Sequence, residues 1–214
     1  MKNVILIGLG RFGKYTVMKL HALGHQIMAV DKNEERINKI LNYVDSAQIG
    51  DSTDKDFIDS LEVKEYDLCI VAIGDDFLSS LETVSLLKEA GAVKVVARAT
   101  GDLQEKFLLR NGADAVVFPE RQLGAWTALR YTADNIENYI ELMDGYSIFE
   151  VVVPNDWAGK EVGQLDVRNK YGINILGVRN GIMKMDIGRS TVLKVGQTML
   201  VLGQTEKLQK LFRL

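Results

Sequence analysis

Three glycines near the start of the chain have the spacing of a nucleotide-binding loop. Gly8, Gly10 and Gly13 follow the apolar run NVILIG and open a segment with helical periodicity, and Asp31 closes the next apolar run. In this pattern the first glycine permits a tight turn, the second lets a pyrophosphate approach the backbone, and the third lets helix and sheet pack closely. Free N–H groups at a helix start attract negative charge. We therefore predict an adenine nucleotide at this loop; the alternative is a glycine-rich turn without a ligand.

The acid at the end of the second run indicates which nucleotide to expect. The carboxylate of Asp31 can accept hydrogen bonds from both ribose hydroxyls and would repel a 2′-phosphate. NAD-type ligands or plain adenine nucleotides are therefore favoured over NADP.

The chain offers few groups that could carry a reaction. Its histidines, His21 and His25, lie at the end of the first helix and in the following turn, at the end of the sheet opposite to the one where parallel sheets bind ligands. Cys69 lies inside the run DLCIVAI, where a small buried hydrophobe is a better interpretation than a nucleophile. The GxxxxGK[ST] motif of P-loop enzymes does not occur. We predict no catalytic residue and a protein that binds its nucleotide as a signal. The alternative is a small NAD-dependent oxidoreductase whose C-terminal domain binds substrate.

Composition and charge argue against several other classes of protein. The chain has 214 residues, 47% of them hydrophobic and 26% charged, and a formal net charge of -3. Because binding to duplex nucleic acid depends on a basic surplus, we expect no nucleic-acid partner. A single cysteine and a start without a signal-peptide pattern predict a cytoplasmic protein. Neither VILIG nor LCIVAIG approaches the roughly 20 residues that span a bilayer, so a membrane role would depend on a partner.

Alternating strand and helix signals place the glycine loop in an α/β domain. Six short apolar runs are separated by segments whose apolar residues recur at helical spacing. The runs are residues 3–8, 25–31, 45–50, 67–73, 93–99 and 113–118. Continuous apolar runs are typical of parallel strands that are covered on both faces. We predict a Rossmann-type, doubly wound parallel sheet over residues 1–118.

The pattern changes at Pro119. Apolar residues three or four positions apart predict a long amphipathic helix that leaves the first domain and ends before Asp144 and Gly145. This apolar stripe consists of Leu123, Trp126, Leu129, Ala133, Ile136 and Ile140. Residues 119–145 are therefore predicted to be a connecting crossover helix.

Residues 146–214 predict a second, smaller α+β domain. Asn180-Gly181 between two apolar runs is a strong hairpin signal. The run TMLVLG, residues 198–203, is predicted to be the last strand and TEKLQKLF the last helix.

Taken together, the motifs resemble those of a known family. The chain is similar to the RCK proteins in VILIGLGRFG, AVD, IGDST, CIVAIGDD, the FPE before the long helix, YGINILGV and LKVGQTMLVLG. RCK proteins of the TrkA and KtrA type are cytoplasmic regulatory subunits of bacterial potassium uptake systems. The resemblance covers the whole chain, as an RCK N-domain and an RCK C-domain. The FPE junction and the C-terminal motif are not features of dehydrogenases.

The resemblance implies a gating ring. In this family, N-domains dimerise and assemble into an octameric ring beneath a membrane-embedded potassium-translocating subunit, and bound ATP, ADP or NAD(H) sets the shape of the ring. A ligand shifts such an equilibrium only through different affinities for the two states. The implied location is the inner face of the cell membrane, reached through the partner. The apolar stripe would then be covered by a second copy of the chain; alternatively, it packs on its own sheet.

The resemblance also implies individual nucleotide contacts. Arg11 looks placed to pair with terminal phosphates, in its own or the neighbouring subunit, because its planar fork suits phosphate oxygens; the alternative is an exposed arginine without ligand contact. Asp51 and Ser52 match positions that contact the adenine base, with a helix N-cap as the alternative for each. Arg98 is at a position that is Lys or Arg in several relatives and could neutralise phosphate. The predicted cofactor-binding residues are Gly8, Gly10, Arg11, Phe12, Gly13, Asp31, Lys32, Asp51, Ser52, Ala72, Ile73, Gly74 and Arg98.

Two further ligands are implied by the resemblance. Glu120 matches a family glutamate that helps to hold a divalent or monovalent cation near the phosphates; one carboxylate is not a metal site by itself, and the alternative is a first-turn acid favoured by the helix dipole. Arg168, Tyr171 and Ile175 match relatives that bind cyclic di-AMP across a dimer of C-domains. Some of those relatives carry a proline after the hairpin where this chain reads MDIGRS, which leaves this binding open.

Overall fold

The computed structural model of the chain describes residues 1–132 and 136–212. The chain divides into two compact units, residues 1–120 and residues 121–214. The predicted functional division into residues 1–118, 119–145 and 146–214 stays a prediction.

The first unit contains the predicted parallel sheet. Within residues 1–120, its six strands are β1 (Asn3–Ile7), β2 (Gln26–Asp31), β3 (Ser46–Ile49), β4 (Leu68–Val71), β5 (Val95–Arg98) and β6 (Ala115–Val117). They lie in the order β3-β2-β1-β4-β5-β6, and every neighbouring pair is parallel. This order, which reverses direction beside β1, is that of a doubly wound sheet. The predicted fold class of this unit is therefore confirmed.

Helices and short turns connect the strands. The α-helices that begin in this unit are α1 (Arg11–Ala22), α2 (Glu34–Asn38), α3 (Lys55–Ser60), α4 (Phe77–Glu89), α5 (Asp102–Arg110) and α6 (Pro119–Thr132), and 3₁₀ turns cover Leu41–Tyr43 and Val63–Glu65. Alternate residues of β1 enter two separate hydrophobic clusters: Ile5 and Ile7 belong to one, and Val4 and Leu6 belong to the other. Because successive strand residues point to opposite faces, the sheet has a core on both sides. This arrangement explains the continuous apolar runs.

The second unit is built on an antiparallel sheet. In its described part, the strands are β7 (Ile136–Glu141), β8 (Tyr146–Val152), β9 (Asn174–Asn180), β10 (Ile182–Lys184) and β11 (Thr198–Gln204), in the order β10-β9-β11-β8-β7. The helices are α7 (Val162–Leu165), α8 (Val167–Tyr171) and α9 (Thr205–Phe212), and Met143–Gly145 forms a 3₁₀ turn. Phe149, Val151, Met199 and Val201 lie fully buried in its core. The predicted last strand and last helix are confirmed.

The predicted crossover helix is wrong in its C-terminal part. α6 ends at Thr132, and residues Ile136–Glu141 form β7, which pairs with β8. The register of this pair shifts between Ile136 and Asn138, so that Ile136 and Tyr139, three positions apart, are both buried. The predicted apolar stripe contains Ile140, which is 53% exposed, and omits Tyr139, which is buried, so the stripe is also wrong at this position. Ala133, which was assigned to the same stripe, lies outside the described residues.

The hairpin predicted at Asn180-Gly181 is confirmed, with a tighter turn than expected. Asn180 pairs with Ile182, so Gly181 alone lies between the two strands. Its φ of 77° is in the left-handed region, which favours glycine. Elsewhere, no helix in residues 1–132 and 136–212 is long and apolar enough to cross a membrane.

Candidate functional site

The predicted contact residues gather at one edge of the parallel sheet, where the carboxyl ends of the strands lie. The glycine loop follows β1, Asp31 ends β2, Asp51 and Ser52 follow β3, Ala72, Ile73 and Gly74 follow β4, Arg98 ends β5, and Glu120 is the second residue of α6. Ligands of open α/β sheets bind at this edge, beside the strand where the order reverses. That strand is β1, which carries the glycine loop.

The glycine loop is held tightly from two sides and is open at one point. Gly8 has a φ of 95°, and a Cβ there would lie 3.1 Å from the backbone of Ala72 and Ile73. A Cβ on Gly13 would lie only 1.9 Å from the carbonyl oxygen of Gly8. At Gly10, in contrast, no described atom beyond the glycine and its two chain neighbours lies within 4 Å of the place where a Cβ would be. The surroundings of Gly8 and Gly13 fit the predicted tight turn and close helix packing, and the approach of a pyrophosphate at Gly10 stays a prediction.

The start of α1 presents backbone donors at this open point. Gly10 is the N-cap, and no side chain of the described residues caps the helix. The first turn contains no acidic residue. The first N–H groups of a helix lack partners within the helix, and its N-terminal end carries partial positive charge. This end of α1 is thus suited to a phosphate group, and the side chain of Arg11 beside it is exposed.

Asp31 has a structural task beside the predicted one. Its side chain is buried, with the residue 5% exposed. One carboxylate oxygen accepts a hydrogen bond from the backbone N–H of Leu9 at 2.6 Å, and the other accepts from the N–H of Asn33 at 2.8 Å. Arg36 lies 3.6 Å from the first of these oxygens. Asp31 therefore fixes the glycine loop, and its contact with a ribose stays a prediction.

Arg98 reaches across the end of β4 towards the glycine loop. Its guanidinium carbon lies 5.7 Å from the ring centroid of Phe12. A Cβ on Gly74 would lie 2.3 Å from the Nη1 atom of Arg98, so only glycine leaves room for the guanidinium here. The Nη2 atom donates to the Oε1 atom of Glu120 at 2.5 Å. Three residues from three different segments thus surround the Arg98 guanidinium.

Glu120 carries a full negative charge beside the two arginines. Burial alone would raise the pKa of its carboxyl, but the hydrogen bond from its own backbone N–H, the hydrogen bond and charge of Arg98, and the charge of Arg11 together lower the pKa below its usual value. Arg11, Arg98 and Glu120 thus contribute two positive charges and one negative charge to this side of the site.

The residues after β3 form the other side of the site. The carboxylate of Asp51 accepts hydrogen bonds from the backbone N–H of Thr53 at 3.0 Å and from its hydroxyl at 2.8 Å. These bonds lower the pKa of Asp51, as does the charge of Lys32 nearby, while burial and the charge of Asp76 act to raise it. The helix α3 that follows is capped by Asp54, which excludes Asp51 and Ser52 as its N-cap.

Ser52 is buried rather than free for a ligand. Its hydroxyl is hydrogen-bonded to that of Thr83 at 2.8 Å. Thr83 lies on α4 and is also buried. Sequence reasoning missed this partner, because a threonine 31 residues away gives no local signal. The side chain of Ser52 has a packing task, and its predicted contact with adenine stays a prediction.

Glu120, which was predicted to help hold a cation, has a different positively charged partner in the structure. Among the described residues, no group of three or more His, Cys, Asp or Glu side chains could hold a metal ion. Glu120 pairs instead with Arg98. A cation held jointly with nucleotide phosphates stays a prediction.

The remaining reactive groups lie away from this edge. The Nδ1 atom of His25 accepts from the backbone N–H of Lys2, ahead of β1, at the opposite end of the sheet. His21 contacts the ring of Tyr43 edge-on, with centroids 5.7 Å apart. Cys69 is buried in β4, and this burial raises the pKa of its thiol to about 12, although the charge of Lys88 acts to lower it. A thiol of this kind is inert as a nucleophile.

The candidate cyclic di-AMP residues of the second unit are engaged with neighbours. The Nε atom of Arg168 donates to the side chain of Asn174 at 2.8 Å. Tyr171 stacks on Trp157, with ring centroids 5.8 Å apart and planes inclined by 25°. Ile175 packs against the core of the unit. Binding of cyclic di-AMP stays a prediction.

A separate open cavity of ≈ 980 Å³ lies in the second unit, beside α6. Its lining is mainly apolar and includes Trp126, Leu142 and Met143. The charged residues that line it are the acids Glu141 and Asp144, which would repel phosphate. The glycine loop is therefore the better place for a nucleotide.

Comparison with protein families gives two matches that together cover most of the chain. A model of the TrkA-N domain matches residues 4–119, and a model of the TrkA-C domain matches residues 148–214. Ktr system potassium uptake protein A of Bacillus subtilis (strain 168) is 32% identical over 210 residues, which are 98% of this chain and 95% of that protein. Ktr system potassium uptake protein C of the same organism is 37% identical over 180 residues, or 84% of this chain and 81% of that protein.

Solved structures agree in fold. The crystal structure of the GsuK RCK domain is 21% identical, with a TM-score of 0.70, and the match covers 100% of this chain and 47% of that chain. The GsuK channel bound to NAD is 20% identical, also with a TM-score of 0.70, over 99% of this chain and 39% of that chain. This chain thus spans less than half the length of those two proteins, and at this identity the likeness extends to the fold alone.

The predicted resemblance to RCK proteins of the TrkA and KtrA type is confirmed by these matches. The chain belongs to the TrkA family, which joins a TrkA-N domain to a TrkA-C domain and includes the Ktr system potassium uptake proteins.

Proposed function

We propose that the protein is a nucleotide-responsive regulatory subunit of a potassium uptake system. It binds an adenine nucleotide at the glycine loop, and this binding changes its conformation. Its ligand is ATP, ADP or NAD(H), and it catalyses no reaction of that ligand. This proposal extends to the chain what the names of its relatives say of them, namely potassium uptake.

The observation that carries the proposal is the combination of an open glycine loop with two arginines. The uncapped start of α1 and the free space at Gly10 suit a phosphate group. Arg11 and Arg98 supply positive charge at that point. The histidines and Cys69 lie elsewhere in the described chain and so cannot serve a reaction at this point.

The chain's own residues divide the work of binding between them. The first N–H groups of α1 and the guanidinium groups of Arg11 and Arg98 would hold the phosphates. Asp31 would hold the ribose while it fixes the loop, and the surface near Asp51 would receive the adenine. The nucleotide supplies negative charge and no chemical reactivity. Because a ligand shifts an equilibrium only through unequal affinities, the response requires that these groups bind it better in one conformation.

We propose that the working form is a homodimer that assembles into an octameric ring. Leu123 and Tyr131 on α6 are 62% and 76% exposed, which favours a covering partner. The apolar cavity beside α6, which Met143 also lines, adds to this unpaired surface. The ring would lie at the cytoplasmic face of the membrane, attached to a membrane-embedded potassium-translocating subunit.

Titration calorimetry with the full-length chain tests the nucleotide proposal. We expect saturable binding of ADP, ATP or NAD(H) at micromolar concentrations, and a change in particle dimensions on binding, measured by small-angle scattering. Steady reduction of NAD with any metabolite pool would instead favour the oxidoreductase. A chain that binds none of these ligands, or binds one without any change in shape, would contradict the regulatory function.

Two further experiments test the partner and the second ligand. Affinity purification from the native membrane should recover a multi-span cation transporter together with the chain; purification of the chain alone would count against the partner. Titration of the full chain with cyclic di-AMP should release heat at micromolar ligand if the second unit binds it.

A further inference from the structure

Arg98 occupies an unusual setting for a positive charge. Its side chain is only 16% exposed, enclosed by the ring of Phe12 and by the backbone at Gly74. Its ion pair within the described residues is with Glu120, whose side chain is 55% exposed. A buried guanidinium is thus neutralised by a carboxylate that remains half in solvent.

The present position of Arg98 leaves one donor without an acceptor. The Nε atom is buried, and no atom of the described residues accepts a hydrogen bond from it. A buried donor left unpaired costs about 1–3 kcal/mol. The contact with Glu120 uses Nη2 only. A guanidinium can form two parallel bonds with one oxyanion, through its fork of N–H groups. The pairing with Glu120 therefore leaves part of this capacity unused.

A phosphate group could accept the hydrogen bonds that the Arg98 guanidinium does not form with Glu120. Its several oxygens could accept from two N–H groups at once, including Nε if the guanidinium turns towards the glycine loop. Phe12 belongs to the first turn of α1, so the guanidinium already lies beside the helix end that suits phosphate. Since Glu120 is half exposed, its carboxylate can return to water at little cost.

We propose that Glu120 is a specificity-determining residue that competes with ligand phosphate for Arg98. This inference rests on the proposed function, because it needs a nucleotide at the glycine loop. Glu120 holds Arg98 when no phosphate is near, and Arg98 exchanges this carboxylate for phosphate oxygens. A ligand without phosphate, such as adenosine, gains nothing from the exchange. When no cation bridges the carboxylate and the phosphates, Glu120 thereby lowers the affinity for phosphate-bearing ligands relative to ligands without phosphate.

The test compares Glu120→Gln with the wild-type chain by titration calorimetry in the presence of EDTA, so that no divalent cation takes part. We expect ADP and ATP to bind up to about fivefold more tightly to the variant, the range of an exposed ion pair. Adenosine should bind equally to both. Glu206→Gln is the matched control, because Glu206 is also an exposed second residue of a helix, α9 in the second unit. It should leave all three affinities unchanged.

A second substitution separates competition from simple repulsion between the carboxylate and phosphate. In an Arg98→Met background, Glu120→Gln should no longer tighten ADP binding if Glu120 acts through Arg98. A gain of the same size in that background would overturn the proposal. Should Arg98→Met fail to fold, Gly74→Ala serves as the background, since its Cβ would displace the guanidinium.

The possible failures are distinguishable. Weaker or unchanged binding of ADP and ATP by Glu120→Gln, with the wild type binding normally, refutes the competition and leaves the nucleotide site standing. Equal tightening of adenosine also refutes it, because the effect would then not concern phosphate. Absence of nucleotide binding by the wild-type chain refutes the proposed function itself, and the competition with it.

Discussion

Replacing Gly10 by alanine should separate binding from stability. Gly10 has φ -62° and ψ -171°, which alanine adopts without strain. Its new Cβ would meet no described atom within 4 Å apart from those of its own residue and its two chain neighbours. The methyl group would instead occupy the space into which a phosphate must come to reach the N–H groups of α1. We therefore expect a folded protein that has lost most of its affinity for nucleotides.

The expected changes in unfolding free energy and in nucleotide affinity can both be estimated for Gly10→Ala. Alanine is less favourable than glycine at an N-cap by about 0.5 kcal/mol, while stiffening of the unfolded chain contributes about 0.4–1 kcal/mol in the opposite direction. The free energy of unfolding should thus change by less than about 1 kcal/mol. Loss of hydrogen bonds to a charged group costs about 1.5–3 kcal/mol, which corresponds to roughly a 10- to 100-fold weaker affinity.

Urea unfolding and calorimetric titration with ADP measure the two effects. Gly188→Ala is the control, because a Cβ there also meets no atom of the described chain and the residue lies in the second unit. Gly13→Ala provides the contrast: its Cβ would lie 1.9 Å from the Gly8 carbonyl oxygen, so the backbone must move, and we expect a loss of at least about 2 kcal/mol. Wild-type affinity in Gly10→Ala would refute the assignment of the phosphate to this loop.

Three further substitutions or reactions test separate parts of the site. Gly74→Ala should weaken ADP binding about tenfold while the melting temperature changes little, because its Cβ displaces only the flexible end of Arg98. Asp31→Asn should lower the free energy of unfolding in urea by about 2 kcal/mol, because an amide cannot accept from both backbone N–H groups. Cys69 should not react with Ellman's reagent at pH 8 in the native protein, since at a pKa of about 12 roughly one thiol in ten thousand is ionised.

Each of these expectations has a clear counter-result. Full ADP affinity in Gly74→Ala would mean that Arg98 does not contact phosphate. Unchanged stability in Asp31→Asn would mean that its two hydrogen bonds do not hold the loop. Reaction of Cys69 in the native state as fast as in urea would show that the thiol is accessible, and unfolding in urea is the control that the thiol is intact.

The parallel sheet and its functional edge were predictable because their signals are local. An apolar run marks each strand, and the glycines of the first loop must lie next to one another in the chain to do their work. The carboxyl ends of parallel strands share one edge, so Asp31 and Arg98 could be assigned to that edge from their positions in the runs alone.

The parts that were missed depend on contacts between distant segments. The pairing of Arg98 with Glu120 spans 22 residues, and each residue was interpreted alone. The contact between Arg98 and Glu120 can be predicted only when β5 and β6 are known to be neighbours. Arg98 ends β5, and α6, which carries Glu120, begins directly after β6. In β7, the register shift that buries both Ile136 and Tyr139 is set by its partner β8, which the local spacing does not reveal.

The hydrogen bond from Leu9 to Asp31 restricts how the cofactor preference of this protein can be altered. Engineering a preference for NADP in a doubly wound fold commonly begins by removing the acid that repels the 2′-phosphate. Here the same carboxylate anchors the backbone of the glycine loop, so its removal would loosen the turn at which we propose that the nucleotide binds. A successful redesign would have to supply a new acceptor for the Leu9 N–H group before it changed the residue that is predicted to meet the ribose.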